Sequence, residues 1–206
     1  MNLMDYRLSR FLSYILHPLL IPALVLSALL LQPDRYAIGL PNTIKFWFIA
    51  IIFVFTVIIP AGSVLLLLKF KVIHSPELNQ RNERTIPLLI AGISYMGLLY
   101  FLRPTIIPPV FLYILYSAAF ALLMGMVINL FYKISLHALG WGALTATLTA
   151  ISIRLGTPML PFILISTLLS GLAGSARLME NAHNQAQVYS GYIAGVFVVV
   201  LITFFS

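Results

Sequence analysis

Long apolar runs separated by short polar breaks dominate the chain, with runs at about Phe11–Leu31, Ile44–Phe70, Ile86–Leu102, Ile107–Phe131, Ala138–Leu155, Met159–Leu172 and Val188–Phe205. A helix rising 1.5 Å per residue needs about 20 such residues to cross a hydrocarbon layer of roughly 30 Å. The runs lack the period-two alternation of barrel strands, and in lipid each backbone must satisfy its own polar groups, so they are predicted to be helices. The expected fold is all-α: a polytopic transmembrane bundle of about six to seven spans, forming one integral membrane domain over residues 1–206. His17-Pro18 and Pro22 should kink the first span, and the third is short enough to be partly re-entrant. Polar turns are expected at Gln32–Pro41, around Pro33-Asp34-Arg35 and Gly39, and at Gly156-Thr157-Pro158. In the last span Gly191 and Gly195 form a Gly-x3-Gly pair suited to tight helix packing, and Trp47 suits an interface.

Composition narrows the class. Charged residues make up 8% of the chain and hydrophobic ones 61%, with a formal net charge of +7, and no water-soluble fold of this length buries so much apolar surface. The cations are scattered singly between apolar segments, which argues against nucleic acid and for anionic lipid or phosphate. Without cysteine there is no thiolate chemistry and no cysteine metal site. Charge in Met1–Arg10 precedes an apolar run too long for a signal peptide and lacking a small-residue cleavage pattern, so a retained span is expected.

The remaining polar residues gather in three islands: Lys71–Arg84, Tyr132–His137 and Gly174–Gln187. Two runs separate each island from the next, and an even number of crossings returns the chain to the same membrane face. The islands therefore share one side. Together they offer Arg81, Arg84, Lys133 and Arg177 as cations, Ser135 as a hydroxyl, and His137 and His183 as imidazoles. Several cations spread the charge of a phosphoryl group, one histidine serves as nucleophile and the other as acid. Glu77, Glu83 and Glu180 are too few for a hard-metal site, there is no glycine-rich phosphate loop, and neither metal nor cofactor is expected. His17 reads as a solvated interfacial imidazole.

These residues resemble a known family. Arg177, five residues, His183, three residues, Gln187 is similar to the third signature of the type 2 phosphatidic acid phosphatase superfamily, Ser-Arg, five residues, His, three residues, Asp. Ser135-Leu136-His137 resembles the second, Pro-Ser-Gly-His, and Arg81–Pro87 stands where the first, Lys, six residues, Arg-Pro, belongs. The resemblance spans roughly Lys71–Gly195. It implies a metal-independent membrane lipid phosphatase with His183 as the nucleophile that becomes a phosphohistidine and His137 as the acid for the leaving alcohol. Arg84, Ser135 and Arg177 would hold phosphate. Arg81 would replace the family lysine, whose position holds Glu77. It also implies a lipid phosphate substrate and an outward-facing site in a bacterial inner membrane. Ala176, Ile134, Leu136 and Gln187 depart from the pattern. Gln187 orients a ring without bringing charge, and Glu180, three residues before His183, is the alternative carboxylate. A non-catalytic binder of lipid phosphates and a small lipid or ion transporter are the competing expectations. Which lipid phosphate is bound, and the oligomeric state, are not legible.

Overall fold

The computed structural model describes residues 3–32, 39–78, 80–103 and 107–205, with the backbone alone for 3–5 and 205. The expected turn at Pro33-Asp34-Arg35, Asn79 and Pro104 lie outside the described residues. Among those described there are helices and no strands. Their order is α1 (Leu3–Ile15), α2 (Leu20–Leu30), α3 (Asn42–Phe53), α4 (Ile59–Lys69), α5 (Thr85–Leu102), α6 (Pro109–Asn129), α7 (Leu136–Arg154), α8 (Leu160–Met179) and α9 (Gln185–Phe205). Among the described residues six stretches are long and apolar enough to cross a membrane, and the bent pair α1–α2 makes a seventh if it is one span. The protein is an integral membrane helical bundle.

Local chemistry explains the irregularities. The first span breaks by 60° between Tyr6–Ile15 and Leu20–Leu30, at His17-Pro18 as expected. Pro22, expected to kink it too, instead falls in the first turn of α2, where its missing N–H costs nothing. The second run is one span, Asn42–Lys69, with a π-helical turn at Val54–Ile58 joining α3 to α4. That turn has a cause in Pro60. The Ile59 N–H reaches back to the Val54 carbonyl, and Pro60 has no N–H to offer the Phe55 carbonyl in that register. The Ser94 hydroxyl of α5 donates to this freed carbonyl at 2.6 Å, so α4 and α5 are joined where the bulge would otherwise leave an unpaired acceptor.

The third run is not re-entrant. A 3₁₀ turn, Asn82–Arg84, runs directly into α5, and Asn82–Leu102 is 21 residues long, on the order of the 30 Å required.

Helices α7 and α9 make the closest approach, and the glycines are the reason. A Cβ on Gly191 would stand 2.6 Å from the Ser135 carbonyl, one on Gly195 would overlap the Leu139 carbonyl, and one on Gly142 of α7 would overlap Tyr192. The predicted Gly-x3-Gly face is thus the α7 contact. The remaining core, including Leu26, Leu98, Phe111 and Leu148, lies between α2, α5, α6 and α7. Outward, Ile93, Ile153, Leu168 and Phe204 are exposed, as lipid-facing side chains should be. Trp47, 67% exposed near the start of α3, suits the interface.

Candidate functional site

The third polar island splits in two. Residues 174–179 continue α8 past the Leu172 end of the apolar run, because nothing in Gly174–Met179 breaks a helix. Termination follows from Asn181, which takes a left-handed conformation, φ 53°. The Ala182 N–H donates to the Arg177 carbonyl and the Asn181 N–H to that of Leu178, the two bonds of a Schellman motif. Helix α9 starts three residues later with a reciprocal capping box: the Gln187 N–H donates to Asn184 Oδ1 at 2.9 Å, and the Asn184 N–H to Gln187 Oε1 at 3.3 Å. Between these two caps sits His183.

The same Gln187 oxygen lies 3.0 Å from His183 Nδ1. Because Oε1 already accepts from a backbone N–H, it acts as an acceptor here as well, so Nδ1 carries the proton and donates. That leaves the lone pair on Nε2. Burial pushes His183 down to about 3, the Arg84 charge adds to this, the Gln187 hydrogen bond opposes it, and Arg177 and Lys133 lower it further. The ring is held neutral with a free nitrogen.

Around it the islands meet. Arg84, 5% exposed, donates from Nε to the Leu78 carbonyl at 2.8 Å and from Nη1 to the Ile134 carbonyl at 3.2 Å. The first contact requires Leu78 at φ 51°, a conformation costing on the order of 1 kcal/mol or more for such a residue. The second joins the first island to the second. The Ser135 N–H donates to the Gln187 carbonyl, joining the second to the third. Arg177, 9% exposed, donates from Nη1 to Glu180 Oε2 at 2.7 Å, while its buried Nε has no partner among the described residues. Lys133 is held below its ordinary range by burial and by the charges of Arg84 and Arg177.

Arg84, Arg177, His137 and His183 line a cavity of about 840 Å³. Its wall on α7 runs from His137 to Thr147 along one helical face, about 15 Å deep at 1.5 Å per residue. That is one leaflet, half the roughly 30 Å of hydrocarbon. Below the polar mouth the lining is apolar, including Ala91, Ile114, Ala118 and Leu144. The mouth is crossed by an ion pair between Arg10 Nη2 and Glu77 Oε1 at 2.9 Å. Three cations of the lining, Arg10, Arg84 and Arg177, therefore face two carboxylates, Glu77 and Glu180, and the Lys133 charge acts on the same group from outside the lining. Arg84 and Lys133 have no carboxylate partner among the described residues.

Several expectations need correction. Ser135 is fully buried as the N-cap of α7, accepting from the Ala138 N–H, and does not line the cavity. Arg81 and Lys133 do not line it either, and the Arg81 backbone carbonyl accepts from Asn129 Nδ2. Glu180 does not orient His183: the Schellman turn separates them, and its carboxylate pairs with Arg177. His17 lines the cavity rather than facing solvent, edge-on to His137 at 5.1 Å between ring centroids. The sequence held no signal for that neighbourhood beyond the helix break itself. Arg10 and Glu77, also lining the cavity, were likewise not legible as site residues.

The arrangement offers an anion several hydrogen-bond donors and excess positive charge, next to a neutral imidazole with a free nitrogen, above an apolar shaft. Comparison with family models, curated proteins and solved structures gives no match to this chain.

Proposed function

We propose that the protein is a lipid phosphate phosphatase working through a phosphohistidine on His183. The observation that carries the reading is a buried cation without a carboxylate partner among the described residues, Arg84, beside Arg177 at the top of a leaflet-deep apolar shaft. Buried cations without counter-ions are costly, and an amphiphile with a phosphate head and a hydrocarbon tail satisfies both parts at once. Arg84 and Arg177 hold the phosphoryl oxygens, and Lys133, outside the lining, adds positive charge at longer range. Nε2 of His183 attacks phosphorus, and the electron pair of the breaking P–O bond leaves with the lipid oxygen. His137 in its cationic form supplies the proton. Its Nε2 lies 3.0 Å from the Ser13 carbonyl, an acceptor only, so Nε2–H is fixed there and the mobile proton is the one on Nδ1. Water then attacks the phosphohistidine and returns its proton to His137.

The test is a rapid acid-free quench of purified protein mixed with a lipid carrying radiolabelled phosphate. Label should appear on His183 as an acid-labile, base-stable adduct. Turnover without label on that residue would remove it as nucleophile. In this reading the site faces outward from a bacterial inner membrane. A single cysteine at exposed Gln80 should then react with an impermeant maleimide in intact cells, and protection until lysis would reverse the orientation.

One observation favours a second reading, a lipid phosphate binder without turnover: the group on His183 Nδ1 is the neutral amide of Gln187. Thermal stabilisation by lipid phosphates with no phosphate release across a broad panel would select it.

A further inference from the structure

His17 stands outside all three islands, yet the fold brings it to them. It occupies the break between α1 and α2, where the Leu19 N–H donates to His17 Nδ1 at 3.3 Å. A nitrogen that accepts a hydrogen bond carries no proton, so the proton of this ring is on Nε2. No partner for Nε2 is found among the described residues, and the ring lines the cavity together with His137, Arg177 and His183. Gly140 makes the position reachable. One turn beyond His137 on α7, its missing side chain admits the chain break: a Cβ there would stand 3.1 Å from Pro18 Cβ and 3.2 Å from Ile21 Cδ1. The α1–α2 break thus seats against α7 and sets the His17 ring edge-on to His137.

We propose that His17 is a phosphate-contacting residue of this site, donating a hydrogen bond from its neutral Nε2–H to an oxygen of the bound phosphoryl group. This rests on the lipid phosphate reading above and adds to it a contact from the first span. The role differs from that of His137. His137 moves a proton, whereas His17 keeps its own, because taking up a second proton at Nδ1 would turn that acceptor into a donor facing the Leu19 N–H. A side chain that offers an N–H at the same reach, without titrating, should therefore substitute.

The experiment compares His17→Phe, which keeps ring bulk without a donor, with His17→Gln, whose amide nitrogen reaches about where Nε2 stands. Each is checked for monodisperse elution and unchanged helix content. The probe is a long-chain alkyl phosphonate, which binds but cannot be hydrolysed, and the readout is its affinity in detergent. His17→Phe should weaken binding roughly 10- to 100-fold, the range for a hydrogen bond to a charged group, and His17→Gln should return to within about threefold of wild type. Wild-type affinity in His17→Phe would overturn the proposal. So would a His17→Gln protein as impaired as His17→Phe, which would assign the ring to proton transfer or packing. Should wild type bind the phosphonate yet release no phosphate from the matching lipid, the phosphatase reading fails while the two variants still decide the role of His17. Failure of wild type to bind overturns both.

Discussion

Replacing Gln187 with Glu isolates one variable, charge, at the ring proposed as nucleophile. Glu and Gln both serve the third position of a capping box, so the Asn184 contacts that begin α9 are retained, and the carboxylate oxygen falls where Oε1 now lies, 3.0 Å from His183 Nδ1. A lower bound on the effect is the gain of a charge-assisted over a neutral hydrogen bond, about 1 kcal/mol or slightly more, close to one pKa unit. An upper bound is the Coulomb energy of a full charge at that distance with an effective dielectric near 20, about 5.5 kcal/mol or about four units. His183, now down at about 3, should therefore titrate between about 4 and 7 in Gln187→Glu. Nitrogen-15 NMR of histidine-labelled protein in micelles reads this directly, with the signal assigned by its loss in His183→Ala. Turnover should rise at least tenfold. In the serine protease triad the reverse change beside a catalytic imidazole costs about ten-thousandfold, which sets the ceiling. A His183 titration that stays put or moves down would refute the assigned contact. A raised titration with no gain in turnover would refute the nucleophile role.

Three further outcomes are expected. In the wild type the ordinary histidine value of 6.5 is lowered to about 3 at His183, so between those values an unfolded chain binds a proton that the folded one does not. Stability therefore falls as pH drops through that window, and the folded ring stays neutral. Carbethoxylation of His183 followed by mass spectrometry should be as fast at pH 5 as at pH 7, and a fall of about 25-fold, as for an unperturbed histidine, would contradict the burial argument. Ala118, on the apolar part of the cavity wall, is the place to shorten the shaft: Ala118→Phe should shift preference at least tenfold towards short-chain lipid phosphates, and equal loss on all chain lengths would show that the shaft does not hold the tail. Gly195→Ala sets a Cβ against the Leu139 carbonyl. Overpacking of this kind costs about 1–3 kcal/mol, so the thermal midpoint should drop by several degrees, and an unchanged midpoint would mean α7 and α9 separate at little cost.

Which parts of this architecture could be read from the residues follows from the kind of signal each leaves. Span number and the shared face of the islands follow from run length and parity, which no tertiary detail can alter. Gly191 and Gly195 were legible because only close backbone approach uses such spacing well in lipid. The α8 terminus lies beyond the Leu172 end of the apolar run because loss of hydrophobicity does not stop a helix, which ends only where Asn181 supplies a left-handed residue. Glu180 stood at equal sequence distance, three residues, from Arg177 and from His183, and the Schellman turn decided for Arg177. Ser135 matched a signature by position, but its hydroxyl is taken by the α7 N-terminus. His17 illustrates what pattern reading misses: its place depends on the 60° bend between α1 and α2 and on Gly140 opposite that break.

Phosphate release by the purified protein from a panel of lipid phosphates, with and without a chelator and beside His183→Ala, tests the central claim most directly. Chelator-resistant release by the wild type that falls to background in His183→Ala is the expected result. No release from any lipid phosphate, or equal release by His183→Ala, would contradict it.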